Sequence, residues 1–132
     1  MTLHLTFRQL ESLQDRRIIA GSGDSPLEIW YNAVRDKPIE EFPCSDLCRA
    51  CRQQVFQEAV IPIAIEALRK EPLAGEMYDG ELLAAMTYID NRYWSNHSSQ
   101  LLEVASIARS VIAQVDDDLR SKLAGLLLLL SR

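Results

Sequence analysis

Apolar residues recur along this chain at three- and four-residue steps, and nowhere do apolar and polar positions alternate over six residues with the β-branched enrichment of a strand. The pattern predicts an all-α fold: a compact single-domain bundle of about six helices, joined by short turns and packed antiparallel. Two short helices open it. Thr6-Phe7-Arg8-Gln9 and Ser25-Pro26-Leu27-Glu28 each fit a capping box, and Pro26 suits a first helical position, where its missing N–H costs nothing. Gly21-Ser22-Gly23-Asp24 reads as a flexible connection, and Lys37-Pro38 closes the second helix before Phe42-Pro43 leads on.

The longest segment runs from a cap at Ser45 to about Lys70, with Leu47, Cys51, Val55 and Ala59 on one stripe. Pro62 interrupts it and Ile61, Ile65 and Leu68 resume it, which predicts a proline-kinked central helix, or two helices meeting near Val60 without a loop. Asp79 is the expected cap of a helix from Gly80 to Trp94, with Leu82, Met86, Ile89 and Tyr93 on one face. After the Ser95-Asn96-His97-Ser98 turn, Leu101, Val104, Ala105, Ala108, Val111, Ile112 and Val115 fit a core-facing helix. A last helix follows Asp116-Asp117 with Leu119, Leu123, Leu126, Leu127 and Leu130 as its stripe. Leu126 to Leu130 is apolar on every side, so it needs cover from other helices or from a second copy of the chain, a homodimer through this leucine-rich end. It is too short to span a bilayer.

A length of 132 residues suits one domain, and 48% hydrophobic with 25% charged residues is ordinary for a globular protein. The formal charge of -5 changes the picture more. Nucleic-acid affinity comes largely from Lys and Arg neutralising phosphates, so direct nucleic-acid binding is disfavoured and a basic protein partner is favoured. The segment Met1 to Leu13 carries Arg8 and Glu11 and reads as neither signal peptide nor membrane anchor. With three cysteines that leave no complete pairing, the expected location is the cytoplasm.

Candidate chemistry is sparse. Cys44, Cys48 and Cys51 have a spacing able to present three thiolates to an iron–sulfur cluster, but the chain lacks the large scaffold such enzymes need, and no fourth ligand completes a zinc site. Positions 44, 48 and 51 share one helical face, where reduced cysteine acts as a small buried hydrophobe. His4 and His97 lack the companions that nucleophilic catalysis requires, and His97 reads as a solvated turn residue. The expectation is a protein that is not an enzyme, with no catalytic residue, metal or cofactor.

The informative stretch is Glu71-Pro72-Leu73-Ala74-Gly75-Glu76-Met77-Tyr78-Asp79-Gly80-Glu81-Leu82-Leu83, a helix stop, a turn and a helix restart. Glu71, Glu76, Asp79 and Glu81 surround Tyr78 with no Lys or Arg between Lys70 and Arg92, an edge suited to a basic partner. Asp116, Asp117 and Asp118 have two alternative readings: a structural role at a helix start, where carboxylates cap free N–H groups, or a second acidic patch for a partner. Tyr88, Tyr93 and Trp94 read mostly as core, with an edge-lying aromatic as an interface anchor.

In order, Asp46-Leu47, Arg52-Gln53, Ile61-Pro62-Ile63-Ala64, the Glu71-to-Leu83 corner and Tyr93-Trp94 resemble the helical immunity proteins of contact-dependent growth inhibition systems. The resemblance covers roughly Val34 to Ile107. It implies a cytoplasmic protein that binds the toxic carboxy-terminal domain of a large secreted surface protein as a heterodimer and neutralises it by stoichiometric occlusion. Many such toxins are nucleases, often cleaving transfer RNA. The expected toxin-binding residues are Glu71, Glu76, Tyr78, Asp79, Glu81, Asp116, Asp117 and Asp118. The rival readings are a helical regulatory or adaptor domain acting through the leucine-rich end, and a metal or redox enzyme built on the cysteines.

Overall fold

The computed structural model describes residues 5–14 and 25–131; the expected Gly21-to-Asp24 connection and His4 lie outside them. Eight α-helices and no strand occur among the described residues, and the chain divides into two compact units at Phe42/Pro43.

The first unit holds α1 (Phe7–Gln14), α2 (Pro26–Val34) and a 3-10 turn at Ile39–Glu41. The first capping box forms with both of its bonds, and Ser25 caps the second helix. Thr6 Oγ1 accepts from Gln9 N at 3.1 Å while Gln9 Oε1 accepts from Thr6 N at 3.0 Å, and Ser25 Oγ accepts from Glu28 N at 3.1 Å ahead of Pro26. The second helix ends at Val34, before Lys37-Pro38, and the chain tightens into the 3-10 turn instead. Phe7 stacks on Tyr31 and meets Phe42 edge-on, each with ring centroids 5.3 Å apart. Beneath them the buried Glu11 accepts from the Tyr31 hydroxyl and from Arg35 Nε at 3.1 Å.

The second unit carries α3 (Cys44–Arg52), α4 (Gln57–Lys70), α5 (Glu81–Met86), α6 (Asn91–Asn96), α7 (Ser98–Val111) and α8 (Asp117–Leu128). The long segment expected from Ser45 to Lys70 divides at Gln53–Phe56, not at Pro62. The stop is a Schellman motif. Val55 N donates to Ala50 O at 3.0 Å and Gln54 N to Cys51 O at 3.1 Å, with Gln54 left-handed (φ 55°) where glycine is usual. Val55 and Phe56 then enter the core, which offsets the unfavourable backbone at Gln54 and Phe56. Pro62 lies inside α4 on its exposed side. Its missing N–H leaves the Glu58 carbonyl where water can bond it, so the helix continues.

A second division separates α5 from α6, where one helix was expected. Asp90 Oδ1 accepts from Tyr93 N at 2.7 Å, a local cap that restarts the helix. The face expected from Leu82, Met86, Ile89 and Tyr93 is buried all the same. In α7, Leu101, Val104, Ala105, Ala108 and Val111 are buried as their spacing predicts, and α8 buries Leu119, Leu123 and Leu126. Core therefore forms where α3 packs on α4 and α5, and where α7 and α8 close over α4 and α5. Arg69 ties α4 to α7 through a paired contact with Glu103, its Nη2 lying 2.8 Å from Oε1.

Candidate functional site

The chain between α4 and α5 is a closed loop, and its closure follows from a few residues. Glu71 N caps α4 by donating to Ala67 O, after which Pro72 ends the helix. Gly80 N donates to Leu73 O at 2.9 Å and Leu82 N to Ala74 O at 3.0 Å, so the two ends of the loop are tied together. Gly80, not the expected Asp79, occupies the cap position of α5, with φ +87°. A Cβ there would lie 2.7 Å from Leu119 Cδ2, because the loop packs directly on the start of α8. A Cβ on Gly75 would overlap the Tyr78 carbonyl oxygen. Gly80→Ala combines a left-handed alanine with overpacking against Leu119. It is expected to destabilise the fold by about 2–3 kcal/mol, read as a lower denaturant midpoint.

Glu81 corrects the expectation placed on it. It is only 6% exposed and faces inward. Its Oε1 accepts from Glu76 N at 2.9 Å and Met77 N at 3.0 Å, and its Oε2 lies 3.6 Å from Arg52 Nη1. Burial pushes its pKa up, but the two N–H donors and Arg52 together outweigh burial and hold it below the ordinary value of 4.5. Glu81 is thus the internal anchor of the loop and has no free carboxylate to offer a partner.

That anchor leaves the tip outside. Glu71, Glu76, Met77, Tyr78 and Asp79 are exposed, and Glu71, Glu76 and Asp79 have no ion-pair partner among the described residues. Met77 is 81% exposed and Tyr78 51%. Met77 forms no part of the site expected from the sequence, which rests on carboxylates around an aromatic. The signal available was its place between two glycines in a loop.

The two acidic segments meet. Tyr78 from the loop, Ala84 from α5, the α8 cap Asp116, and Asp118, Leu119 and Lys122 from α8 line one open depression of about 290 Å³. Asp116 caps α8, its Oδ1 accepting from Leu119 N at 2.8 Å, which fulfils the structural role expected of the triple acid. Asp117 pairs with Arg120 at 3.1 Å and Asp118 with Lys122 at 3.3 Å. The net surplus of negative charge therefore sits with the loop and Asp116. Tyr78 keeps its proton, because burial and the Glu81 charge raise its pKa.

The remaining candidates resolve into packing. Cys48 and Cys51 are buried on the inner face of α3, as their spacing predicts, and Cys44 is half-buried. Burial pushes all three thiols up, Cys51 to about 12, so thiolate chemistry is disfavoured at neutral pH. Among the described residues no cluster of three His, Cys, Asp or Glu side chains is arranged to hold a metal ion. His97 is not a solvated turn residue: its ring stacks on Tyr93 at 3.9 Å and Nδ1 lies 2.8 Å from Tyr93 O. Tyr93 and Trp94 are core, whereas Tyr88 is 46% exposed beside Lys122. In the leucine-rich end, Leu126 is buried and Leu128 is 64% exposed. Among the described residues no helix is long and apolar enough to cross a membrane.

The loop, its inner anchor and most of the second unit fall inside a match to a known family. A family model described as CDI immunity proteins, the proteins of contact-dependent growth inhibition, matches residues 12–104, well over half of the chain. The chain belongs to the CDI immunity proteins. None of the curated proteins compared with it matches. For this CDI immunity protein the partner class follows from the family: a cognate toxin of the same kind of system. The matched region contains Glu71 to Leu83, whereas Asp116 to Asp118 lie beyond it.

Proposed function

We propose that this immunity protein neutralises its toxin by one-to-one occlusion, without catalysis. The capturing surface is the face formed by Glu71, Glu76, Tyr78 and Asp79, supplemented by Asp116, Asp117 and Asp118. One observation carries the reading: a hydrogen-bonded loop holds three carboxylates that have no cation partner among the described residues, beside a second acidic segment on α8. A toxin that handles nucleic acid needs a positive surface for phosphates, so a nuclease, such as one acting on transfer RNA, is the partner this face complements. Covering that surface excludes the substrate. The protein works in the cytoplasm of the cell it protects, where the delivered toxin domain acts.

Titrating the toxin domain with this protein while following nucleic-acid cleavage tests the mechanism. Activity is expected to fall linearly and vanish at equal molar amounts. Complete inhibition at a small fraction of that amount would mean a catalytic mechanism. Association is expected to slow as salt rises, because charges are screened over about 8–10 Å at ordinary ionic strength. Stopped-flow association at two salt concentrations reads that slope, and equal rates would remove charge steering from the account.

A further inference from the structure

We infer that Met77 and Tyr78 form an apolar plug at the centre of the toxin interface, so that the partner offers an apolar pocket ringed by cationic groups and not a uniformly basic surface. This rests on the reading that the acidic loop binds the toxin. Large apolar side chains on a soluble protein normally turn inward, yet Met77 is 81% exposed and Tyr78 51% exposed at adjacent positions. They are not exposed because the backbone is free to wander. Glu76 N and Met77 N are bonded by the buried Glu81 carboxylate, and Gly80 N and Leu82 N close the loop behind them. Neither Gly75 nor Gly80 has room for a side chain, so the tip is pressed against its own base and the start of α8.

A tip fixed in this way loses little conformational freedom on binding, which lets contact area appear as affinity. The surrounding Glu71, Glu76 and Asp79 set the charge of the complementary rim. The thioether of Met77 adapts to an irregular pocket, and the Tyr78 phenol, held protonated, presents a ring with a hydrogen-bonding end. The two kinds of residue then have separable kinetic roles. Rim carboxylates govern how fast the complex forms, and the plug governs how slowly it comes apart.

Surface plasmon resonance of the full chain against immobilised toxin domain separates them. Met77→Ala and Tyr78→Ala are each expected to raise the dissociation rate constant about tenfold or more, by the same factor at low and high salt, with association little changed. Met77→Leu is expected to restore slow dissociation. Because Met77 is exposed, its replacement is expected to leave the unfolding midpoint unchanged, which chemical denaturation checks. If wild-type protein binds and both alanine variants dissociate as slowly as it does, the plug is overturned while the acidic-face reading stands. If wild-type protein forms no complex, both fall.

Discussion

Replacing Glu71, Glu76 and Asp79 together with lysine is expected to lower the association rate constant for the toxin domain by about 100-fold at low salt. The three positions are exposed and lack ion-pair partners among the described residues, so reversing them changes the field ahead of the loop without removing an internal contact. Electrostatic steering alone accounts for accelerations of roughly 10 to 1,000-fold, and the triple reversal changes the local charge by six units, from three negative to three positive. The variant's residual association is expected to lose its decrease with salt. Stopped-flow mixing reads both effects. An association rate equal to that of wild type would place the contact surface elsewhere on the protein.

Glu81→Ala is expected to have the largest effect on the fold of the site. It removes the acceptor of two loop N–H groups and the carboxylate facing Arg52. Hydrogen bonds to a charged group contribute about 1.5–3 kcal/mol each, and the exposed Glu76 and Met77 and the partly exposed Arg52 recover part of the loss from water, so a destabilisation of roughly 2–4 kcal/mol is expected. Chemical denaturation measures it. Hydrogen exchange should quicken at Glu76 and Met77 more than at buried positions of α7. The pH dependence carries the matching sign. The folded state holds Glu81 below its ordinary pKa, so its contribution is fully present above the unfolded value and is lost as pH falls through the lower, folded one. Wild-type stability is therefore expected to decline on acidification below about pH 4.5, with Glu81→Ala showing less of that decline. A variant as stable as wild type, with unchanged exchange at the tip, would deny Glu81 its anchoring role.

Much of the fold was legible because its determinants are local. The reciprocal bonds of Thr6 and Gln9 span three residues and follow from their types alone, and the burial of Leu101, Val104, Ala105 and Ala108 follows from helical spacing. The division after Arg52 was not legible, because its left-handed position is filled by Gln54 instead of glycine and is favoured by Val55 and Phe56 reaching the core. That α4 runs through Pro62 without a break has a related reason. A proline on the solvent side of a helix leaves its orphaned carbonyl to water, and the sequence shows the proline but not the side.

The site divides along the same line. The acidic corner and its exposed Tyr78 could be read from composition between Lys70 and Arg92. The fate of each carboxylate could not, since Glu81 is drawn inward by backbone N–H groups whose direction depends on how the loop closes. A hint was present: Glu81 heads the apolar run Leu82-Leu83-Ala84-Ala85-Met86, every member of which is buried. Bringing Asp116 and Asp118 beside Tyr78 required the packing of α5 on α8, a contact between segments far apart in sequence.

Carboxylate-selective labelling of the protein, free and mixed with an equal amount of toxin domain, reads most directly which surface the toxin covers. Glu71, Glu76, Asp79 and Asp116 are expected to label readily in the free protein and to be protected in the complex, while Glu58, at the end of α4 away from the loop, labels alike in both. Equal labelling of the loop carboxylates with and without bound toxin would contradict the account.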